Sequence, residues 1–264
     1  MIQELLKVKK QGVRRHEKDS NLVNVNFMCG VSIEECIENK VFHGCKVNNR
    51  NPKMMKFIRE TINGIDIINI EKTIQAVDDA AAFLKKVCAD GGKILFVAPQ
   101  KVSKEYMKEL AKSLSLPYVT EKWIAGNLTN FVTIRKTVKR LEKSADKSVY
   151  AEFLSKKELK TAAEQFAKSS KFLEGVFDMY RLPAAVVIVN VKENIIAVKE
   201  AITRGITIVG IGDTNSNPTG INFFIPANTS SLKSISLIMD NMAISIREGQ
   251  NEYKKRYSIS TENN

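Results

Sequence analysis

The sequence predicts an α/β fold in which a mostly parallel sheet carries helices on both faces and is interrupted by a helical hairpin. Continuous apolar runs at 94–98 and 185–189 have the composition of strands that are buried on both sides. Amphipathic stretches of helical period separate such runs, and this alternation is typical of parallel sheets. Between the two halves of the alternation lie two charged helical stretches, 129–147 and 156–174. These two stretches predict the hairpin.

The first 70 residues contain few long apolar stretches. The run Ser32–Glu35 has the pattern of a helix start, so we expect an N-terminal arm and a short helix over 1–40. Residues 41–70 are expected to form loops and short extended pieces, because Asn and Pro mark turns there. The β-branched run 64–70 predicts a strand.

The first alternating units follow. Apolar residues at helical spacing predict an amphipathic helix over 72–89, ended by Gly91 and Gly92. The run 94–98 is the buried strand. A helix at 102–115 and a short strand at 117–119 come next.

The hairpin is predicted from the composition of its two halves. The stretch 129–147 is strongly basic and carries only a narrow apolar stripe, and a break at 148–155 separates it from 156–174. Two long charged helices joined by a short turn have little core of their own and are typical of a docking element. The alternative is a pair of ordinary surface helices of the main domain.

The alternation resumes after the hairpin. Strands are predicted at 185–189, 206–211 and 223–225, with a helix at 193–204. A last helix at 229–247 places six apolar residues at helical spacing. The polar residues 250–264 are expected to form a flexible tail.

The charge balance favours a polyanionic partner. The chain has 41 Lys and Arg against 29 Asp and Glu, which gives a net charge of +12. Such a chain is attracted to nucleic acid, anionic lipid or an acidic protein, and the alternative is a protein that is merely basic. No apolar run approaches the roughly 20 residues of a membrane-spanning helix, so no membrane partner is expected.

The cysteines predict neither a disulfide framework nor a zinc site. Four are present, without C-x-x-C spacing, which favours a reducing compartment. His43 and Cys45 lie two residues apart, but a metal site there would need ligands from elsewhere. We expect no metal and no cofactor. The four cysteines are Cys29, Cys36, Cys45 and Cys88.

A search for a catalytic site favours a protein that is not an enzyme. Ligands of parallel sheets bind at the carboxyl ends of the strands. The strand 206–211 is followed by Asp213, Thr214 and Asn215 with only a fragment of G-x-G-x-x-G, and the sequence has neither a phosphate loop nor a dinucleotide fingerprint. Asp213 and Thr214 are candidates to bind a metal or a sugar hydroxyl, although such residues more often form turns through their own side chains.

Histidine chemistry adds little to the enzyme hypothesis, since His16 and His43 are the only two histidines. No small-molecule substrate is expected. The alternative function is an α/β enzyme or nucleotide-binding protein with a site near Asp213.

Three groups of residues, taken in order, carry a resemblance to a known family. The first is Asn51-Pro52-Lys53-Met54 with the run from Asn63 to Thr73. The second is Gly91-Gly92-Lys93 with the run from Lys122 to Phe131, above all Trp123 through Phe131. The third is Arg181-Leu182-Pro183-Ala184 with Asp213-Thr214-Asn215 and Ile225-Pro226-Ala227-Asn228. Over roughly residues 40–250 this set resembles the bacterial-type small-subunit ribosomal protein "S-two" family.

The resemblance implies a doubly wound, flavodoxin-like α/β domain with an inserted helical hairpin, in agreement with the interruption found above. The domain would comprise 41–128 and 175–249, and the hairpin 129–174. The implied function is structural. The family sits between head and body of the small ribosomal subunit, binds small-subunit rRNA and neighbouring ribosomal proteins, and supports translation. In bacteria it also helps to anchor the large mRNA-binding protein of that subunit.

The chain departs from the family pattern at several positions. The usual His-Phe-Gly-His pattern reads Phe42-His43-Gly44-Cys45, the basic-Trp pair that follows reads Asn49-Arg50, and Ala125 stands where glycine is expected. About 25 extra residues precede the shared part. This drift, with abundant Lys, Asn and Ile, favours an organelle or a reduced genome. A mitochondrial ribosome is the first choice, ahead of a plastid or the bacterial cytoplasm.

Contact with RNA is expected through basic and amide side chains, because phosphate contacts supply most of the affinity. Lys53 and Lys56 flank a turn, and other candidates cluster at a helix N-terminus, where backbone amides also receive phosphate. The Trp123 ring either stacks on an unpaired base or, the favoured alternative, packs between hairpin and sheet. For the basic helix face at 135–143 the alternative is a solvated surface. The candidate RNA-binding residues are Arg50, Asn51, Lys53, Lys56, Lys122, Trp123, Asn127, Thr129, Asn130, Arg135, Lys136, Lys139 and Arg140.

Overall fold

A computed structural model describes residues 30–144 and 171–262 of the chain. The N-terminal arm predicted for 1–40 lies largely outside the described residues. So do most of the hairpin, at 145–170, and the last two residues. The side chains of 139–144 and 257–262 are likewise not described.

A short helix and a three-stranded antiparallel sheet open the described part. Helix α1 (Ile33–Glu38) begins as predicted, because the Ser32 hydroxyl accepts from the Glu35 amide and the Glu35 carboxylate accepts from the Ser32 amide. The sheet contains β1 (His43–Lys46), β2 (Ile58–Ile62) and β3 (Ile65–Ile68) in the order β1-β3-β2. The strand predicted at 64–70 is β3, whereas 43–46 and 58–62 were expected only as loops or short extended pieces.

The second sheet is parallel and has five strands. They are β4 (Ile94–Val97), β5 (Tyr118–Val119), β6 (Ala185–Val189), β7 (Thr207–Gly212) and β8 (Phe223–Pro226). Their order is β5-β4-β6-β7-β8, and all neighbouring pairs are parallel. This order confirms the doubly wound, flavodoxin-like α/β fold.

Helices cover both faces of the parallel sheet. They are α2 (Ile70–Ala89), α3 (Lys104–Ser113), α4 (Phe131–Ser144), α5 (Ile195–Thr203) and α6 (Leu232–Glu262). In β4, Ile94 and Phe96 pack in the apolar cluster of α2, α3 and α6, whereas Leu95 and Val97 pack in that of α4 and α5. This arrangement explains the continuous apolar runs of the central strands.

The last helix is longer than predicted. The expected helix 229–247 and the described part of the expected flexible tail 250–264 form one helix, α6, which begins at Leu232 and runs to Glu262. Tertiary contacts support the polar part. The Gln250 amide donates to the Leu114 carbonyl at 2.9 Å, and the Tyr253 ring lies against Gly91. These contacts replace the apolar stripe on which the prediction relied.

The inserted hairpin stays a prediction. Helix α4 matches its first half, expected at 129–147. Of the second half, expected at 156–174, only 171–174 are described. Residues 171–173 are helical, and Glu174 begins a 3₁₀ turn. The division into a domain of 41–128 and 175–249 also stays a prediction.

Candidate nucleic-acid interface

The carboxyl edge of the parallel sheet, where ligands bind in this fold class, is covered by the chain itself. Segment 41–57 crosses the ends of β7 and β8. The Cys45 amide donates to the Thr214 hydroxyl at 2.9 Å, and the Asn51 amide donates to the Thr214 carbonyl at 2.9 Å. The Asn228 amide donates to the Val41 carbonyl at 3.1 Å. The crevice is therefore closed by backbone and side-chain hydrogen bonds.

Gly44 allows segment 41–57 to lie close to the parallel sheet. A Cβ atom there would lie 2.7 Å from the Asp66 carbonyl oxygen and 2.7 Å from Cγ2 of Thr214. Only glycine lets the segment lie this close to both β3 and the loop after β7.

Asp213 accepts hydrogen bonds at this closed edge. It is buried, its Oδ1 accepts from the Thr214 amide at 2.6 Å, and its Oδ2 accepts from the Cys45 thiol at 3.1 Å. The interpretation of Asp213-Thr214-Asn215 as a turn closed by its own side chain agrees with these contacts. Burial raises the pKa of Asp213, and burial together with Asp213 raises the pKa of Cys45 to about 12. The Cys45 thiol therefore stays protonated at neutral pH.

Asp213→Asn is expected to change how stability depends on pH. Because the pKa of Asp213 is raised in the folded state, its contribution is full below the ordinary Asp pKa and is lost as pH rises through the raised value. The Asn variant lacks this loss, so it gains stability relative to the parent as pH rises from the acid range to neutrality. Thermal unfolding across that range measures the difference, and parallel curves for the two proteins would contradict the expectation.

The four candidates on segment 41–57 are not equivalent. Arg50 is half-buried, and its Nη1 lies 3.2 Å from Oδ1 of the fully buried Asp66, so its charge serves an internal ion pair. The Asn51 side chain accepts from the Lys53 amide and caps the 3₁₀ turn Pro52–Phe57. Lys53 and Lys56 are exposed and remain candidates for phosphate.

Glu200, which the sequence did not single out, organises the loop before α4. It lies on α5 and is buried. Its Oε1 accepts from the Trp123 indole at 3.0 Å and from the Gly126 amide at 2.8 Å. Its Oε2 accepts from the amides of Leu128 and Thr129 at 3.0 and 3.2 Å. Burial raises the pKa of Glu200, but these hydrogen bonds outweigh it and hold the pKa below its ordinary value.

Arg204, at the end of α5, completes the clamp on this loop. Its guanidinium donates to the carbonyl oxygens of Leu128 and Thr129. Glu200 thus binds the N–H groups of the loop and Arg204 binds its carbonyls. No sequence signal marked Glu200, because its partners lie 71 to 77 residues away along the chain.

Four of the candidates near this loop make internal contacts in the structure, and their binding to RNA stays a prediction. Trp123, Asn127 and Arg135 are buried, and the Thr129 hydroxyl donates to Glu200 at 3.3 Å. Trp123 packs in the apolar cluster of α4 and α5, which is the packing alternative considered above. Arg135 donates from Nη1 to the Phe177 carbonyl at 2.6 Å and stacks on the Tyr180 ring. These side chains point inward because the loop and α4 pack against the sheet.

The exposed candidates of this region are Lys122, Asn130 and Lys136. They flank the start of α4, where helix amides and helix dipole favour anions. The side chains of Lys139 and Arg140 lie outside the described residues, so their role stays a prediction. The candidates that are exposed thus form two basic areas, one on segment 41–57 and one at the start of α4.

The described ranges were also compared with the requirements of a metal site and of a membrane-spanning helix. No three His, Cys, Asp or Glu side chains of 30–144 and 171–262 converge on one point that could hold a metal ion. None of the helices in these ranges combines the length and the apolar composition needed to cross a bilayer.

Comparison with known proteins identifies relatives over most of the chain. A family model described as ribosomal protein S2 matches residues 36–249. A Bacteroides thetaiotaomicron protein named small ribosomal subunit protein uS2 is 43% identical over 207 residues, which cover 77% of this chain and 74% of that protein. Proteins of the same name from Porphyromonas gingivalis and Cytophaga hutchinsonii are 42% and 38% identical. The first alignment covers 86% of this chain and 82% of the relative, and the second 85% and 89%.

Proposed function

Because the chain belongs to the ribosomal protein S2 family, we propose that it lies in the small subunit of a bacterial ribosome, between head and body, where it is bound by ribosomal RNA and neighbouring proteins. Members of this family are structural proteins and not enzymes. The chain is accordingly a structural protein of the small ribosomal subunit. The observation that carries the proposal is the match over 36–249, which spans both sheets.

The alternative function, a nucleotide-binding enzyme with a site near Asp213, has no support from the geometry. A nucleotide would have to displace segment 41–57, which is bound to Thr214 and Asn228 through backbone hydrogen bonds. Asp213 is itself engaged by Cys45 and Thr214.

We propose that RNA contacts the two exposed basic areas. Lys53 and Lys56 extend from the 3₁₀ turn Pro52–Phe57, whose Met54 is fully buried, so they are presented by a fixed backbone. Lys122, Asn130 and Lys136 surround the start of α4, which Glu200 and Arg204 hold in place. A fixed backbone limits the conformational entropy that is lost when these side chains bind phosphate.

The proposal also concerns the kind of ribosome to which the chain belongs. Sequence drift at 42–50 favours a mitochondrial ribosome. The three relatives described above come from bacteria, and their identities of 38 to 43% extend over most of the chain. We therefore propose the bacterial cytoplasm ahead of a mitochondrion or a plastid.

Co-sedimentation tests this function. The full chain, carrying an affinity tag, is expected to sediment with small subunits in a sucrose gradient and to remain there at moderate KCl concentration. The double variant Lys53→Ala/Lys56→Ala is expected to leave the subunits at lower KCl concentration. Each lost phosphate contact lowers the slope of log affinity against log salt by roughly 0.9.

Lys86→Ala provides the matched control, since Lys86 is an exposed lysine on α2, outside both basic areas. It should leave the subunits at the same KCl concentration as the parent. A chain found only in the fractions free of subunits would refute the function. Equal salt resistance of the double variant and the parent would refute the RNA contact at segment 41–57 alone.

A further inference from the structure

A groove of about 630 Å³ lies at the edge of the parallel sheet opposite to segment 41–57. Its walls come from residues that precede three neighbouring strands. Lys93 precedes β4, Pro117 precedes β5, and Tyr180 and Arg181 lie ahead of β6. The amino ends of parallel strands share one edge, so these side chains meet there. The volume is in the range of pockets that hold small organic groups such as nucleotides.

Tyr180 is the distinctive residue of this groove. Its side chain is 68% exposed, although large aromatic rings are usually buried. The guanidinium carbon of Arg135 lies 4.4 Å from the ring centroid, and Arg135 is itself fixed by burial and by its bond to the Phe177 carbonyl. One side of the ring is therefore held in place while much of it faces solvent. Such a ring loses little conformational entropy when another flat group stacks on it.

Positive charge surrounds the ring. Lys93 and Arg181 are exposed, with Asp178 as the opposing charge. Glu174, the other acid of the groove, is matched by Lys108 at 2.9 Å and Lys112 at 3.4 Å.

Helix α6 also reaches this edge of the sheet. Tyr253 lies against Gly91, where an added Cβ would come within 2.6 Å of its ring, and Gly91 lines the groove. The basic residues 254–256 follow at once and are exposed. They lie beyond the range 36–249 that the family model covers.

We propose that this groove binds an unpaired RNA nucleotide, with the base stacked on Tyr180 and the flanking phosphates held by Lys93 and Arg181. The inference rests on the proposed ribosomal function and adds a second kind of RNA contact to it. Proteins bind single-stranded RNA through exposed aromatic rings, on which bases stack, and through nearby cations, which contact phosphates. A peptide strand has no free edge here, because β5 has two buried residues and its Tyr118 carbonyl is covered by Gly175.

Binding of a fluorescein-labelled, single-stranded RNA octanucleotide of mixed sequence to the purified full chain tests the groove. Tyr180→Ala is expected to weaken binding about 10-fold, because it removes one stacked base, whereas Tyr180→Phe is expected to stay within about 2-fold of the parent. Lys233→Ala, at an exposed site on the first turn of α6, should also match the parent. Equal affinities of the parent and Tyr180→Ala would overturn the proposal.

Two further measurements separate the groove from general attraction to a basic protein. Arg181→Ala is expected to lower the slope of log affinity against log salt by about one. Ultraviolet crosslinking, followed by mass spectrometry, is expected to place the RNA adduct on the peptide that contains Tyr180. If poly-glutamate of equal charge displaces the labelled RNA from the parent as well as unlabelled RNA does, the groove responds to negative charge alone, and the RNA proposal fails.

The outcome is distinguishable from failure of the proposed function. Tyr180→Ala is expected to fold, as checked by circular dichroism, and to sediment with small subunits because the other basic areas are intact. If the parent does not sediment with subunits, the proposed function fails. If the parent does so, and Tyr180→Ala binds the octanucleotide as well as the parent, only the groove proposal fails.

Discussion

Glu200→Gln is expected to destabilise the protein by about 2–4 kcal/mol, on the scale of buried donors that lose their acceptor. Glutamine has nearly the same shape, but its amide nitrogen cannot accept hydrogen bonds from the loop. One pair of donors, either Trp123 and Gly126 or Leu128 and Thr129, then faces an NH₂ group in a buried place. Urea unfolding measures the change in the free energy of unfolding.

The same variant has a local signature. Trp123 is the only tryptophan, so its fluorescence reports on the loop that Glu200 holds. The emission of Glu200→Gln is expected to shift to longer wavelength before the global transition. Glu193→Gln, at an exposed position just before α5, is the control and should change neither stability nor emission. Unfolding midpoints equal for Glu200→Gln and the parent would contradict the role of Glu200.

The pH dependence follows from the lowered pKa of Glu200. A depressed folded-state pKa gives stability that is present above the ordinary Glu pKa and is lost as pH falls through the lowered value. The parent should therefore lose stability in acid more steeply than Glu200→Gln, and the gap between the two should close toward low pH.

Gly249→Ala is expected to destabilise the protein by about 1–3 kcal/mol, the usual cost of overpacking. The direction is opposite to helix propensity, which favours alanine over glycine by about 1 kcal/mol. A Cβ at position 249 of α6 would lie 2.2 Å from the Lys85 carbonyl oxygen and 2.9 Å from Cβ of Cys88, both on α2. Backbone atoms cannot turn aside as a flexible side chain can, so the two helices must separate.

Asn251→Ala is the control for this prediction. It lies on the exposed side of the same helix and gains helix propensity without a new contact, so it should match or slightly exceed the parent in stability. Urea unfolding of the three proteins gives the comparison. If Gly249→Ala is as stable as Asn251→Ala, the contact between α2 and α6 is looser than described.

The parallel sheet could be predicted because its strands are continuous apolar runs, and burial on both faces leaves that pattern in the sequence. Ala185–Val189 has the bounds expected for it. The strands β1 and β2 could not be predicted, since β1 is short and polar and β2 alternates only weakly. Their partners in β3 were needed to define them. The end of α6 was missed for a similar reason, because contacts with Leu114 and Gly91 hold a polar stretch in helix.

The candidate site was predicted less well than the fold. Residue type alone does not distinguish the exposed Lys53 from the buried Glu200, because lysine and glutamate are both typical of protein surfaces. Trp123 and Asn127 belong to the run that carries the family resemblance, and both side chains are buried in the structure. The exposed groove around Tyr180 left no periodic pattern, because its walls come from three separate stretches of chain, 91–93, 112–118 and 174–181.

The cover on the carboxyl edge of the parallel sheet has a consequence for the order of folding. Cys45 and Thr214 are 169 residues apart in the chain, and Lys40 and Asn228 are 188 apart. Contacts of such long sequence separation are slow to form. During synthesis, β1 of segment 41–57 can pair with β3 early, but its contacts with Thr214 and Asn228 must wait until β7 and β8 have been made. The small antiparallel sheet can therefore form before it docks on the carboxyl edge of the parallel sheet.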